Sequence, residues 1–171
     1  PMGIFVSVIK GITLTLPISS AAIAIMLDLG GIAAGAATVG CCCHLVGFAV
    51  AGYKDNGPSG LISLGLGCSM LQLPNIIKNP KIWIGPILTS ALLGPLVTTL
   101  FPMQNLPEGA GMGSSGLVGQ ISTFAAMGTG IDVWILIAVF HFILPALLVW
   151  GITQVLRKYD MVHAGDMKIM I

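Results

Sequence analysis

Seven basic and six acidic side chains are all the formal charge this chain carries over 171 residues. A soluble domain has about 25% charged residues, against 8% here. So few charges cannot cover a water-exposed surface. The balance excludes an ordinary soluble domain, a nucleic-acid binder and a disordered chain. With a mean hydropathy of +0.99, the sequence reads as an all-α integral membrane protein.

The apolar runs are Gly3–Leu27, Leu29–Tyr53, Ser59–Ile77, Ile82–Phe101, Gly116–Met127 and Ile131–Leu156. A spanning helix needs about 20 residues, which the first, second, fourth and last satisfy. Ser59–Ile77 is short and interrupted by Gly60, Gly65, Gly67, Gln72 and Pro74, and Gly116–Met127 is too short to cross. Let both weak runs enter and leave on one side. Lys10, Lys54, Lys78, Lys81, Arg157, Lys158 and Lys168 then share one face, taken as cytoplasmic, with Lys10 snorkelling back to it. Asp28, Glu108 and Asp132 take the other face.

The expected architecture is about four transmembrane helices plus two re-entrant hairpin elements entering from opposite faces. Residues 1–171 form a single membrane domain, with 157–171 as a cytoplasmic tail. The chain starts inside an apolar run, which reads as a piece of a longer protein rather than a signal peptide. Re-entrant backbone survives in lipid only where it is buried in protein or lines a wet cavity, and broken segments of this kind usually hold a transporter's ligand.

The sharpest chemical candidate is Glu108, within Asn105-Leu106-Pro107-Glu108-Gly109-Ala110-Gly111-Met112-Gly113-Ser114-Ser115-Gly116. The glycine run, notably Gly111 and Gly113, lets backbone approach a ligand. Ser114 and Ser115 add hydroxyls, and a carboxylate beside them can hold a polyol or take a proton from one. Gln72, Asn75 and Asn79 in the first weak run, and Gln120, Ser122 and Thr123 in the second, offer donors and acceptors suited to a sugar. His44 and His141 are ionisable groups within apolar runs and are candidates to line the ligand path. Asp55-Asn56-Gly57-Pro58 reads as a turn. Cys41, Cys42, Cys43 and Cys68 read as small packed free thiols, since their spacing fits neither disulfides nor zinc. No metal site and no cofactor is expected.

The stretch Gly65-Leu66-Gly67-Cys68-Ser69-Met70-Leu71-Gln72-Leu73-Pro74-Asn75-Ile76-Ile77-Lys78-Asn79-Pro80-Lys81-Ile82-Trp83-Ile84 resembles a signature of the phosphotransferase-system EIIC-like membrane family. Pro107–Gln120 is similar to a second signature. That family includes a regulator of perfringolysin O, and its members are roughly twice this length, so the resemblance makes this chain a C-terminal part.

The resemblance implies the membrane-embedded sugar-binding and translocating part of a phosphoenolpyruvate-dependent permease in a bacterial cell membrane. A cytoplasmic EIIB partner phosphorylates the sugar during import, so the chain is the EIIC component of a sugar phosphotransferase if that activity is retained. By motif position Glu108 becomes the catalytic residue and a sugar contact. The substrate-binding set adds Asn105, Gly111, Gly113, Ser114, Ser115, Gln120, His44, Gln72 and Asn75. A homodimer is implied by analogy. The alternatives are a membrane sensor or regulator that keeps the pocket without transport, and a secondary transporter of another small polar solute.

Overall fold

The structure is a computed structural model, in which residues 1–170 are described. These residues form helices and turns, with one isolated antiparallel bridge between Gly31 and Asn105. Three helical stretches are long and apolar enough to cross a membrane: Gly31–Ala51, Pro80–Thr99 and Ile131–Lys158.

The first apolar run does not form one helix. It divides into α1 (Met2–Thr15) and α2 (Ser20–Met26). The cause is Pro17, which has no N–H to donate and pushes its predecessor out of helical conformation. Leu16 accordingly adopts ψ 158°. The Ser19 side chain then accepts from the Ala22 amide at 3.3 Å and starts α2. Lys10 does not snorkel to a surface. It is only 4% exposed, and its ammonium donates to the Ser20 carbonyl at 2.6 Å. The break turns the start of α2 back against α1, so that the Ser20 carbonyl in its first turn meets the lysine.

The centre is α3 (Gly31–Ala51), buried without interruption from Ala34 to Ala49. It packs against α1, α6 (Ile84–Thr99) and the last helix. In lipid, helices associate through close packing rather than a hydrophobic driving force, so small residues matter most. Gly40 shows why: a methyl added there would stand 2.6 Å from the Ser7 carbonyl carbon. Ser7 also donates its hydroxyl to the Ser90 carbonyl at 2.7 Å, joining α1 to α6. Cys41, Cys42 and Cys43 are free and buried, as expected, while Cys68 is free and half-buried.

The last helix runs from α9 (Ile131–Ile137) through a π-helical turn, Ala138–Ile143, into α10 (Leu144–Lys158). Pro145 accounts for the turn. Its ring crowds the carbonyl four residues back, that of His141, and a widened turn relieves the clash. His141 therefore stands where the helix is locally unwound.

The two glycine-rich segments are broken into short pieces. The first comprises α4 (Tyr53–Ile62), a π-turn at Ser63–Gly67, a 3-10 turn at Ser69–Gln72 and α5 (Leu73–Lys78). Asp55-Asn56-Gly57-Pro58 is not a free turn but part of α4, kinked where Gly57 takes φ 62°. Asn56 and Gln72 donate to one and the same carbonyl, that of Met167, at 2.7 and 2.9 Å. The chain between them thus leaves and returns to one point. The second segment comprises α7 (Pro107–Met112) and α8 (Val118–Met127), joined through Gly113 at φ 57°. At 1.5 Å per residue, α8 covers about 15 Å, half of a bilayer core.

Beyond α10 the chain reverses at Asp160, φ 57°. It then buries Val162, Met167 and Ile169 in a cluster with Phe48, Leu64, Ile76, Ile82 and Val149.

Candidate functional site

The two glycine-rich segments touch. Ser114, fully buried, donates its hydroxyl to the Gly65 carbonyl at 2.6 Å. The π-turn makes this possible, because its widened register leaves that carbonyl a lone pair to share. Gly113 and Gly111 bring the second segment close to the core. A Cβ at Gly113 would lie 2.6 Å from the Cys41 Cβ, and one at Gly111 would lie 2.7 Å from the Ala21 nitrogen. Ser115 is half-buried and Gly116 exposed at the end of this contact.

Deeper, α8 meets the unwound turn of the last helix. The Gln120 amide nitrogen donates to His141 Nδ1 at 3.1 Å and lies 3.7 Å from Cys42 Sγ. With Nδ1 accepting, the neutral ring carries its proton on Nε2. His141 Nε2 and Gln120 Oε1 are both buried and have no protein partner among the described residues. One is a donor and the other an acceptor. An unpaired buried polar group costs about 1–3 kcal/mol.

The other candidates are placed differently. Asn105 is 1% exposed, and its amide donates to Thr38 Oγ1 at 2.6 Å and to the Gly119 carbonyl at 3.0 Å. It holds the start of α8 against α3. His44 is fully buried, with Nδ1 3.0 Å from the Gly40 carbonyl and its ring edge-on to Phe48 and Trp83. Its Nε2, like Trp83 Nε1 and Thr89 Oγ1, has no partner among the described residues. Glu108 is exposed in the first turn of α7, directly after Pro107. A carboxylate is favoured there by the unpaired amides of the helix start. Gln72 and Asn75 bond to each other at 2.8 Å and to the carbonyls of Met167 and Lys168, both at 2.9 Å.

The structure therefore brings Gln120 to His141 and Ser114 to Gly65, and it gathers Gln72 and Asn75 on the tail. His141 is a ligand-path candidate from the sequence that the substrate-binding set left out. Pro145, four residues on, is the signal that its turn is opened.

The family model described as "Phosphotransferase system, EIIC" matches residues 1–169. The chain belongs to this EIIC family. No curated protein and no solved structure is significantly similar to it.

Four basic residues of this EIIC-family chain line two clefts. Lys78 and Lys168 line a cleft of about 560 Å³ together with Asn79 and Asp166. Lys54 and Arg157 line a neighbouring one, and Arg157 pairs with Asp55 at 3.7 Å. Burial raises the Asp166 pKa, but the His163 amide, the Asn79 side chain and the His163 ring outweigh it, holding the carboxyl below its ordinary 3.8.

Proposed function

We propose that the chain is the sugar-binding and translocating part of a phosphoenolpyruvate-dependent permease, with an EIIB partner phosphorylating the sugar during import. Family membership supplies the class. The observation that carries the site is the pair of unpartnered atoms on Gln120 and His141. Separate hydroxyls of a sugar complement them, one accepting from Nε2–H and another donating to Oε1.

The proposed substrate-binding set also takes Asn105, Gly111, Gly113, Ser114 and Ser115 from the second glycine-rich segment. It takes Gln72 and Asn75 from the first segment and His44 from α3. Glu108 is the catalytic candidate. As the sugar oxygen bonds to phosphorus, the phosphorus–sulfur or phosphorus–nitrogen bond to the partner's Cys or His breaks. The hydroxyl proton passes to the Glu108 carboxylate.

In this reading residues 59–77 and 101–130 are re-entrant hairpins from opposite faces of a bacterial cell membrane. The shared Met167 carbonyl at the base of the first and the Ser114–Gly65 bond support it. Lys54, Lys78, Lys81, Arg157, Lys158 and Lys168 then face the cytoplasm, and the permease works as a homodimer.

The test is phosphoenolpyruvate-driven phosphorylation of radiolabelled glucose, fructose and mannitol. Membranes carrying the full-length protein are supplied with EIIB-containing cytosol. Sugar phosphate that forms only with the protein present, and is lost in Glu108→Gln, supports the reading. Uptake of unmodified sugar on a proton or sodium gradient contradicts it, and sugar binding without phosphate transfer makes the chain a sensor or regulator.

A further inference from the structure

We infer that Met161–Ile169 is a releasable strap that clamps both arms of the first glycine-rich segment and holds it closed. It is built almost entirely from backbone groups taken up by side chains of another part of the chain. Asn56 donates to the Met167 carbonyl at 2.7 Å and accepts from the Ile169 amide at 2.8 Å. Gln72 donates to the same Met167 carbonyl at 2.9 Å. Asn75 takes the Lys168 carbonyl at 2.9 Å. Asn79 takes the Met161 carbonyl at 3.1 Å and the Asp166 carboxylate at 2.8 Å.

Asn56 lies before the segment's turn, whereas Gln72, Asn75 and Asn79 lie after it. One short stretch of backbone therefore pins both arms. Met167 and Ile169 drive the contact by inserting their side chains into the apolar cluster below. The stretch has no helix or strand of its own, and its internal bonds are local turns, Asp166 N–H to the His163 carbonyl and Lys168 N–H to the Gly165 carbonyl, so it can lift as one unit once Val162, Met167 and Ile169 leave the cluster. Gly165 at φ 92° and Asp160 at φ 57° are the turns that fold it back.

The consequence for the site rests on the sugar-binding reading. In the strapped state the Gln72 amide nitrogen bonds the Met167 carbonyl, and the Asn75 amide nitrogen bonds the Lys168 carbonyl and Gln72 Oε1. They become available to a ligand only when the strap lifts, so strap and sugar compete for the same amides. The strap is then a closing device at the mouth of the hairpin.

The experiment reads the strap without any sugar, so its failure and that of the sugar reading are separate results. In the full-length protein with Cys68→Ser, a cysteine replaces either buried Met167 or exposed Ala164, and maleimide labelling rates are measured in membranes. The strap predicts labelling at 167 at least about ten-fold slower than at 164, the ratio a closed local equilibrium gives. Asn56→Ala with Asn79→Ala, which spares Gln72 and Asn75, brings the two rates together. Cys41, Cys42 and Cys43 stay unlabelled throughout and report that the core is folded. Equal rates at 167 and 164 in the parent overturn the strap, as does protection that survives the paired substitution. Labelling of Cys41–Cys43 on release also overturns it, because the tail is then part of the core.

Discussion

Ser114 gives its hydroxyl hydrogen to the Gly65 carbonyl at 2.6 Å, across 49 residues of chain. Neither residue lies in a helix long enough to cross a membrane. Their bond ties the two broken glycine-rich segments together inside the protein, where a free carbonyl has no water to turn to.

Ser114→Ala removes the donor and leaves the Gly65 carbonyl buried and unpaired. We expect a loss of about 1–3 kcal/mol in stability. Thermal unfolding of the purified full-length protein, followed by tryptophan fluorescence, checks it. An unchanged midpoint shows that the segments do not depend on this bond.

Gly40 and Gly151 make a matched pair. A Cβ at Gly40 would stand 2.6 Å from the Ser7 carbonyl carbon, whereas one at Gly151 meets nothing within 4 Å. Gly40→Ala forces α1 away from α3 and costs about 2–3 kcal/mol. Gly151→Ala only removes backbone freedom and adds about 0.5–1 kcal/mol. Midpoints moving in opposite directions are the expected result.

Lys54 and Lys78 flank the first glycine-rich segment, and Asn56 and Gln72 within it hold one carbonyl. Cysteines placed at 54 and 78 in the Cys68→Ser background are expected to label from the same side of sealed vesicles. Labelling from opposite sides means that the segment crosses the membrane.

Acid loosens the tail in a defined direction. Asp166 is held ionised by the His163 amide, the Asn79 side chain and the His163 ring. Its pKa in the folded chain lies below the unfolded value, so its contribution is complete above that value. It is lost as pH falls through the lower, folded one. His163 also contacts Asp160, Asp55 accepts from the Gly165 amide, and Lys78 and Lys168 line the same cleft. A spin label at Ala164 is expected to stay immobile at pH 5 and gain mobility only below about pH 4. Asp166→Asn removes that transition.

Much of the architecture was legible in the sequence. The scarcity of charge gave the class, and the hydropathy runs located the three long helices. Pro17 lies inside an apolar run that hydropathy averaging reads as continuous, and only the backbone constraint of proline divides it. Lys10 was harder to place, because its carbonyl partner exists only once that break has formed. The site was less legible for a related reason. Gln120 and His141 are 21 residues apart and meet only because Pro145 opens a helical turn. The tail's grip on Asn56 and Gln72 spans 111 and 95 residues and leaves no local pattern to read.

The central claim is that Gln120 Oε1 and His141 Nε2 each receive a hydroxyl of the sugar. Calorimetric titration of the full-length protein in nanodiscs, with the sugar its membranes phosphorylate, tests it most directly. Gln120→Leu and His141→Phe are each expected to weaken binding at least about ten-fold, because each leaves one sugar hydroxyl without its partner. Unchanged affinity in both single variants contradicts the account.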